Sequence, residues 1–417
     1  MNTFRHLKGT ITQYIFMMVF IFATIVGLLL GVLGGLIPGL HSNTIAAVVI
    51  SAQAFFISFL GSEGLSVALF AMLITHGFIS LIPSTFLGVP DSGSALSVLP
   101  AHSLCLKGDG EEAIRLAALG SVYGLCLSVP VAYIIMALLP DFQQYIDWGT
   151  GIFIVGVMGY LIISSETPLI ALIIFLTTGI LGVFSISYSF LCSHAFGADT
   201  ILMPLLTGLF GISVLVNAGE GNIPDQNFKG LGIKQKIIHR SAFFGTFAGT
   251  LVGWLPGLSN ATANAVISAK FGYNIDKREF LISTGASNSA NAVIGLAAFS
   301  ALARTRNGVM AAIGNLNPPS FIIMLATGVI TAAVVYPVTV TLSSEAVHLG
   351  NLNIKLINRL VIVFLTFLTF ALTGVFGMMI LALSVALGLI PSLLEVPRLY
   401  CMGAVMIPVI LFSFGLL

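Results

Sequence analysis

The sequence predicts an all-α, polytopic membrane protein, on three observations. Of its 417 residues 57% are hydrophobic and only 7% charged, with a mean hydropathy of +1.08. A soluble domain would need several times that charge to cover its surface. The apolar residues come in long continuous runs, as membrane helices require, and not in the short alternating segments of a barrel. Finally, the phrase Leu36-Ile37-Pro38-Gly39-Leu40 returns as Trp254-Leu255-Pro256-Gly257-Leu258, each time at the end of such a run.

Taken in order, the first run covers 11–37 and is much longer than the apolar core of a secretory signal, about 7 to 15 residues. It reads as an uncleaved first span. Further runs fall at 43–60, 65–89, 113–139, 149–163 and 168–190, then at 200–216, 240–255, 260–271, 280–302, 319–343, 358–390 and 399–417. The 358–390 run exceeds one crossing and predicts a helix pair turning between Gly374 and Gly377. About ten to fourteen membrane segments are expected, some of them half-helices. The four cysteines, Cys105, Cys126, Cys192 and Cys401, are scattered among apolar neighbours and read as small buried residues, with no metal or disulfide pattern.

The chain divides into a first half, 1–217, a basic interior loop, 218–240, and a second half, 241–417. Lys229, Lys234, Lys236 and Arg240 place the loop on the cytoplasmic side of a cell membrane, and Arg5 and Lys8 place the N-terminus there too. Gly31 and Gly35 align with Gly249 and Gly253 in the same register as the two Pro-Gly pairs, which predicts an internal repeat meeting near the bilayer midplane. Inverted repeats should begin on opposite faces, whereas two basic leaders favour parallel ones, so the symmetry stays open.

A Pro-Gly pair at membrane depth frees backbone groups that only protein or a watery cavity can satisfy. The chain then restarts as a helix, with Ser42, Asn43 or Thr44 as N-cap in the first copy and Ser259, Asn260 or Thr262 in the second. Such an N-terminus offers open N–H donors and partial positive charge to a carboxylate or phosphate without needing arginine. The competing account is a simple kink with helix-gluing hydroxyls and amides. A matched pair of breaks favours a binding site.

Asp91, framed by Pro83, Gly88, Pro90 and Gly93, is a candidate carboxylate for a coupling proton or sodium ion. Capping of a helix from Ser92 explains it equally well. In the second half Asn288 and Asn291 share a helix face and offer amides to a ligand. Lys107 to Glu112 reads as a solvated charged turn, with Glu111 and Glu112 opening a helix. No catalytic triad, P-loop, dinucleotide fingerprint or zinc-protease motif occurs, so neither an enzyme nor a resident cofactor is expected. A net charge of +1 leaves no basic face for nucleic acid.

The two Pro-Gly-Leu phrases, Leu87-Gly88-Val89-Pro90, the turn from Leu106 to Ala113 and the run Asn288-Ser289-Ala290-Asn291-Ala292 resemble the large membrane subunit of tripartite tricarboxylate transporters, the TctA family, in a shorter, archaeal-like branch. The resemblance implies that Pro38, Gly39, Ser42, Asn43 and Thr44, with Pro256, Gly257, Ser259, Asn260 and Thr262, lie at the substrate site. It also implies a small membrane subunit and an extracytoplasmic binding protein as partners. The function expected is an ion-gradient-driven permease for small organic anions, di- or tricarboxylates, by alternating access, with homo-oligomers allowed. The rival reading is a polyprenyl-phosphate or other lipid-phosphate translocator, since the same helix ends would accept a phosphate.

Overall fold

The structure is a computed structural model. It describes residues 2–37, 40–87, 98–192, 201–217, 224–254, 260, 263–264, 276–303, 305, 307–346 and 354–416, with backbone alone for 2–16, Thr44 and a few other helical positions. Every regular element among the described residues is helical. Among the described residues six helical stretches are long and apolar enough to cross a membrane, and three shorter apolar ones accompany them.

Helix α1 (Asn2–Leu36) leads to the first break, and α2 (Ser42–Ser51) follows it. Helix α3 (Gln53–Ile79) then runs on into α4 (Leu81–Leu87). The glycines of α1 let its backbone approach α3 closely. A Cβ on Gly27 would strike the Ala68 carbonyl, on Gly31 the Thr75 side chain, and on Gly35 the Ile79 side chain. These contacts climb both helices in the same order, so α1 and α3 are parallel neighbours. The chain between them must therefore return across the span. Residues 42–60 do this in two pieces, broken near Ala52 and turned at Gly61, whose φ of 68° suits a residue without Cβ. Gly35 lies level with Ile79, while the neighbouring apolar span continues to Phe86, about 10 Å farther at helical rise. The apolar helix beside α1 therefore outlasts α1 at this end.

Helices α5 (Val98–Cys105), α6 (Gly110–Ile163), α7 (Pro168–Ser187), α8 (Leu202–Leu206) and α9 (Ser213–Asn217) follow, the last two joined by a π-helical turn, Thr207–Ile212. The runs 113–139 and 149–163 thus form one helix that passes through Pro130 and Pro140. Helix α10 (Gln235–Trp254) begins inside the segment expected to be loop up to 240, because the Ile237 and Ile238 N–H groups already bond to the Lys234 carbonyl. Helix α11 (Lys277–Leu302) packs on α10 in the register seen in the first half. Gly245 faces the Ser283 carbonyl, Gly249 the Ser287 carbonyl, and Gly253 the Ile294 side chain. Helices α12 (Gly308–Gly314), α13 (Phe321–Glu345), α14 (Ile354–Leu393) and α15 (Gly403–Ser413) complete the chain.

Cross-half contacts fix relative direction. Gly120 and Gly124 of α6 face the Ile282 and Ala286 carbonyls of α11, so these two helices are parallel. The Asn317 N–H bonds Ser62 Oγ at 2.9 Å, and Gly328 faces Phe70, so α13 is parallel to α3. Helix α6 opposes α13: Tyr133 stacks edge-on to Phe321, whereas Ile114 clusters with Ala346 beyond the other end. Helices α1, α3 and α13 therefore run one way, and α6, α10 and α11 the other. It follows that the beginning of α1 and the loop before α10 lie on opposite faces. The expectation of a cytoplasmic position for both is corrected, because packing direction, not the charge of each leader taken alone, decides it.

The two largest apolar clusters among the described residues organise the molecule. One gathers α1, α3, α11, α12, α13 and the first part of α6; the other gathers α7, α8, α15 and the last part of α6 through Ile154, Met158 and Ile162. In the second body α14 doubles back at Gly374, φ 66°, as its length predicted, so that Val361, Leu365 and Leu381 all pack on Ile212 and Leu215. Each chain half contributes its earlier part to the first body and its later part to the second. The spatial bodies therefore cut across the sequence division 1–217 and 241–417. Cys126, expected to be buried, is exposed.

Candidate functional site

At the first break His41, in extended conformation (φ −81°, ψ 149°), caps α2: its Nδ1 accepts the Asn43 N–H at 3.1 Å. The expected caps Ser42, Asn43 and Thr44 instead form the first turn, because the imidazole one residue earlier reaches the open donor. His76 of α3 donates from Nε2 to the Leu40 carbonyl at 2.8 Å, steadying the chain just after the break. The two imidazoles lie 6.1 Å apart, so neither histidine is solitary. Ser42 is buried, and Asn43 packs on Gly308, where Asn307 caps α12. His41→Ala is expected to lower stability by about 1 kcal/mol through the lost cap, with His41→Asn retaining most of it. Thermal unfolding in detergent measures both.

At the second break Asn260, Ala263 and Asn264 have helical backbone and lie against α11. Asn260 Nδ2 donates to Asn288 Oδ1 at 2.5 Å, and Asn260 Oδ1 accepts from Ser287 at 3.3 Å. One turn on, Asn264 Oδ1 accepts from Ser283 at 2.9 Å. The partners descend along α11 as this segment advances, so the segment runs antiparallel to α11, as a returning strand of chain must. Asn288 thus joins the break, and Asn291 sits one turn farther along α11, its carbonyl beside Gly253. Pro38, Gly39, Asp91, Pro256, Gly257, Ser259 and Thr262 lie outside the described residues, as does the side chain of Thr44.

A third polar assembly joins the halves at the starts of α6 and α11. Arg278 grips Glu112 through Nε–Oε1 at 2.9 Å and Nη2–Oε2 at 2.8 Å, with Asp109 at 3.5 Å. The Gly232 N–H donates to the same Glu112 at 2.6 Å, and Gln226 bridges the Gly110 N–H and the Cys105 carbonyl. The bond to Glu112 raises the Arg278 pKa above its ordinary value. Of the turn expected to be solvated, Lys107 is exposed and Asp109 partly so, whereas Glu111 and Glu112 are buried, Glu112 held by Arg278 and the Gly232 N–H. Sequence reasoning missed His76, Asn264, Ser283 and Ser287 as site residues; the glycine register of α1 and α10 was the signal that could have aligned them. Among the described residues no cluster of three or more His, Cys, Asp or Glu could hold a metal.

A chain whose described elements are all helical, six of them apolar and long enough to cross a membrane, with amides and hydroxyls gathered at Ser42 and Asn43 and around Asn260 and Asn264, has the build of a membrane transport protein. The chain belongs to the tripartite tricarboxylate transporter TctA family, whose family model matches residues 21–403. That is a family of transporter components, not of enzymes. A protein of Methanocaldococcus jannaschii described only as uncharacterized is 32% identical over 293 residues, covering 67% of this chain and 68% of its own. No solved structure matches the chain.

Proposed function

We propose that this chain is the membrane-embedded permease of an ion-gradient-driven carrier for small organic anions, di- or tricarboxylates, working by alternating access. The observation that carries the reading is that α1 and α10 run in opposite directions, each followed by a polar helical segment, the second lined by asparagines and serines. Amide and hydroxyl donors beside a helix start can hold a carboxylate while leaving the site nearly uncharged, so a cotransported ion can travel with it. The candidate substrate residues are Pro38, Gly39, Ser42, Asn43 and Thr44 with Pro256, Gly257, Ser259, Asn260, Thr262, Asn288 and Asn291. Asp91 is the candidate carrier of a coupling proton or sodium ion.

The division into two bodies bridged mainly by α6 supports alternating access, because the body holding both breaks has few partners to part from if it shifts against the other. Lys107, Lys229, Lys234, Lys236, Arg240 and Lys277 crowd the face where α6, α10 and α11 begin, which favours that face as cytoplasmic in a cell membrane. The N-terminus then starts outside. A small membrane subunit and an extracytoplasmic binding protein are the partners the family suggests.

The test is the unfolding midpoint of the detergent-purified chain with citrate, succinate and a polyprenyl phosphate, alone and with sodium. A carboxylate at a hundred times its dissociation constant should stabilise by about 2.7 kcal/mol. Asn288→Leu should weaken that response about tenfold or more, by removing the partner of Asn260. Stabilisation by the lipid phosphate alone, or by none of the ligands, would overturn the reading.

A further inference from the structure

We propose that the side-chain amide of Asn264 donates directly to an oxygen of the carried anion. The inference rests on the carboxylate reading above and names a residue that the sequence did not single out. Asn264 is fully buried, and its Oδ1 is taken by Ser283. Its Nδ2 has no partner. Other orphaned polar atoms among the described residues are hydroxyls, which can rotate, or the acceptor oxygens of Asn43 and Asn358. Asn264 alone in that set leaves an amide nitrogen open, its donors held in one plane by the bond to Ser283.

The neighbouring amide sharpens the point. Asn260, one turn earlier on the same face, spends both of its amide atoms on Ser287 and Asn288. The ladder of amides along α11 therefore ends in one open donor pair. A buried N–H left unpaired is destabilising, and buried polar groups are otherwise almost always satisfied.

The other copy shows that packing does not require this amide. By the offset of the two Pro-Gly pairs Asn264 corresponds to Ala46, and by the glycine contacts Ser283 corresponds to Ala68; both alanines are fully buried. Ser287 and Asn288 correspond to Met72 and Leu73. The glycine packing of the flanking helices is common to both halves, whereas side-chain amides at these positions are confined to the second. A fully buried alanine stands at the corresponding position of the first copy, so burial there does not by itself call for an amide. An anionic oxygen is the acceptor that two fixed, neutral donors suit.

The experiment uses the full chain in detergent, with Asn264→Leu and Asn264→Ala, the latter copying the first half. Unfolding is followed against citrate, succinate and sodium chloride, with choline chloride as the ionic-strength control. The expected result is an unliganded midpoint unchanged or raised in at least one variant, together with a citrate response weakened about tenfold or more. A citrate response equal to wild type in both variants would overturn the proposal while leaving the carboxylate reading intact, and a lowered midpoint with that same response would mark a purely structural amide. A sodium response lost in the variants with citrate binding preserved would mean that the open atom is the oxygen, facing a cation, and would also overturn it. Absence of any carboxylate response in wild type would overturn the function and this inference together.

Discussion

Arg278→Ala is expected to destabilise the folded chain by about 3 kcal/mol, the cost of leaving a buried carboxylate without its cation. Glu112 is only 6% exposed in its side chain, and Arg278 23%, so the lower end of the range for buried pairs applies. The Gly232 N–H still reaches Glu112 but carries no charge to replace the guanidinium. Arg278→Lys should recover part of the loss, because one ammonium cannot make two parallel bonds to a carboxylate. Thermal unfolding gives the magnitude, and proteolysis within 224–234 reports whether that segment lifts away. An Arg278→Ala protein within about 0.5 kcal/mol of wild type would show that the clamp is a solvated surface pair, whose value is small.

Gly285→Leu should be still more damaging, costing about 3 kcal/mol or more, since overpacking a rigid contact forces backbones apart. A Cβ there meets the Ala117 carbonyl of α6, and the Gly285 carbonyl itself accepts from Ser121 at 3.2 Å. Neither is the end of a flexible side chain that could swing aside. Gly77→Ala is the control: beyond its own turn of helix no atom lies within 4 Å of its new Cβ. That change should be neutral or stabilise by about 0.5–1 kcal/mol, through the smaller backbone entropy lost by alanine. Comparable midpoints for the two variants would refute the close α6–α11 crossing on which the opposed directions of the two halves depend.

Composition and run length were enough to make the membrane helices legible, because the need to satisfy backbone groups in lipid acts on every segment locally. Gly374 is an example: a run too long for one crossing had to turn, and glycine was the residue able to do so. The helix breaks were legible for the same reason, since proline and glycine act on their own backbone. Residue type misled where partners were distant. Nothing in the sequence around His41 names a partner for it, and only folding brought His76, 35 positions on, to the same break. Glu112 carried the mark of an exposed helix start, yet its burial is set by Gly232 and Arg278, more than a hundred residues away.

The relative direction of the two halves followed the same division. Each basic leader, judged alone, obeyed the rule for cytoplasmic segments, and nothing local related one leader to the other. The order of glycine contacts along α1 and α3, α6 and α11, and α3 and α13 made the relation explicit. Local chemistry therefore settled where this chain enters apolar surroundings, where its helices stop and which short phrases recur. Which helices lie side by side, which way each runs and which polar atoms stay open were settled by long-range packing, because burial and hydrogen-bond satisfaction are properties of pairs far apart in the chain.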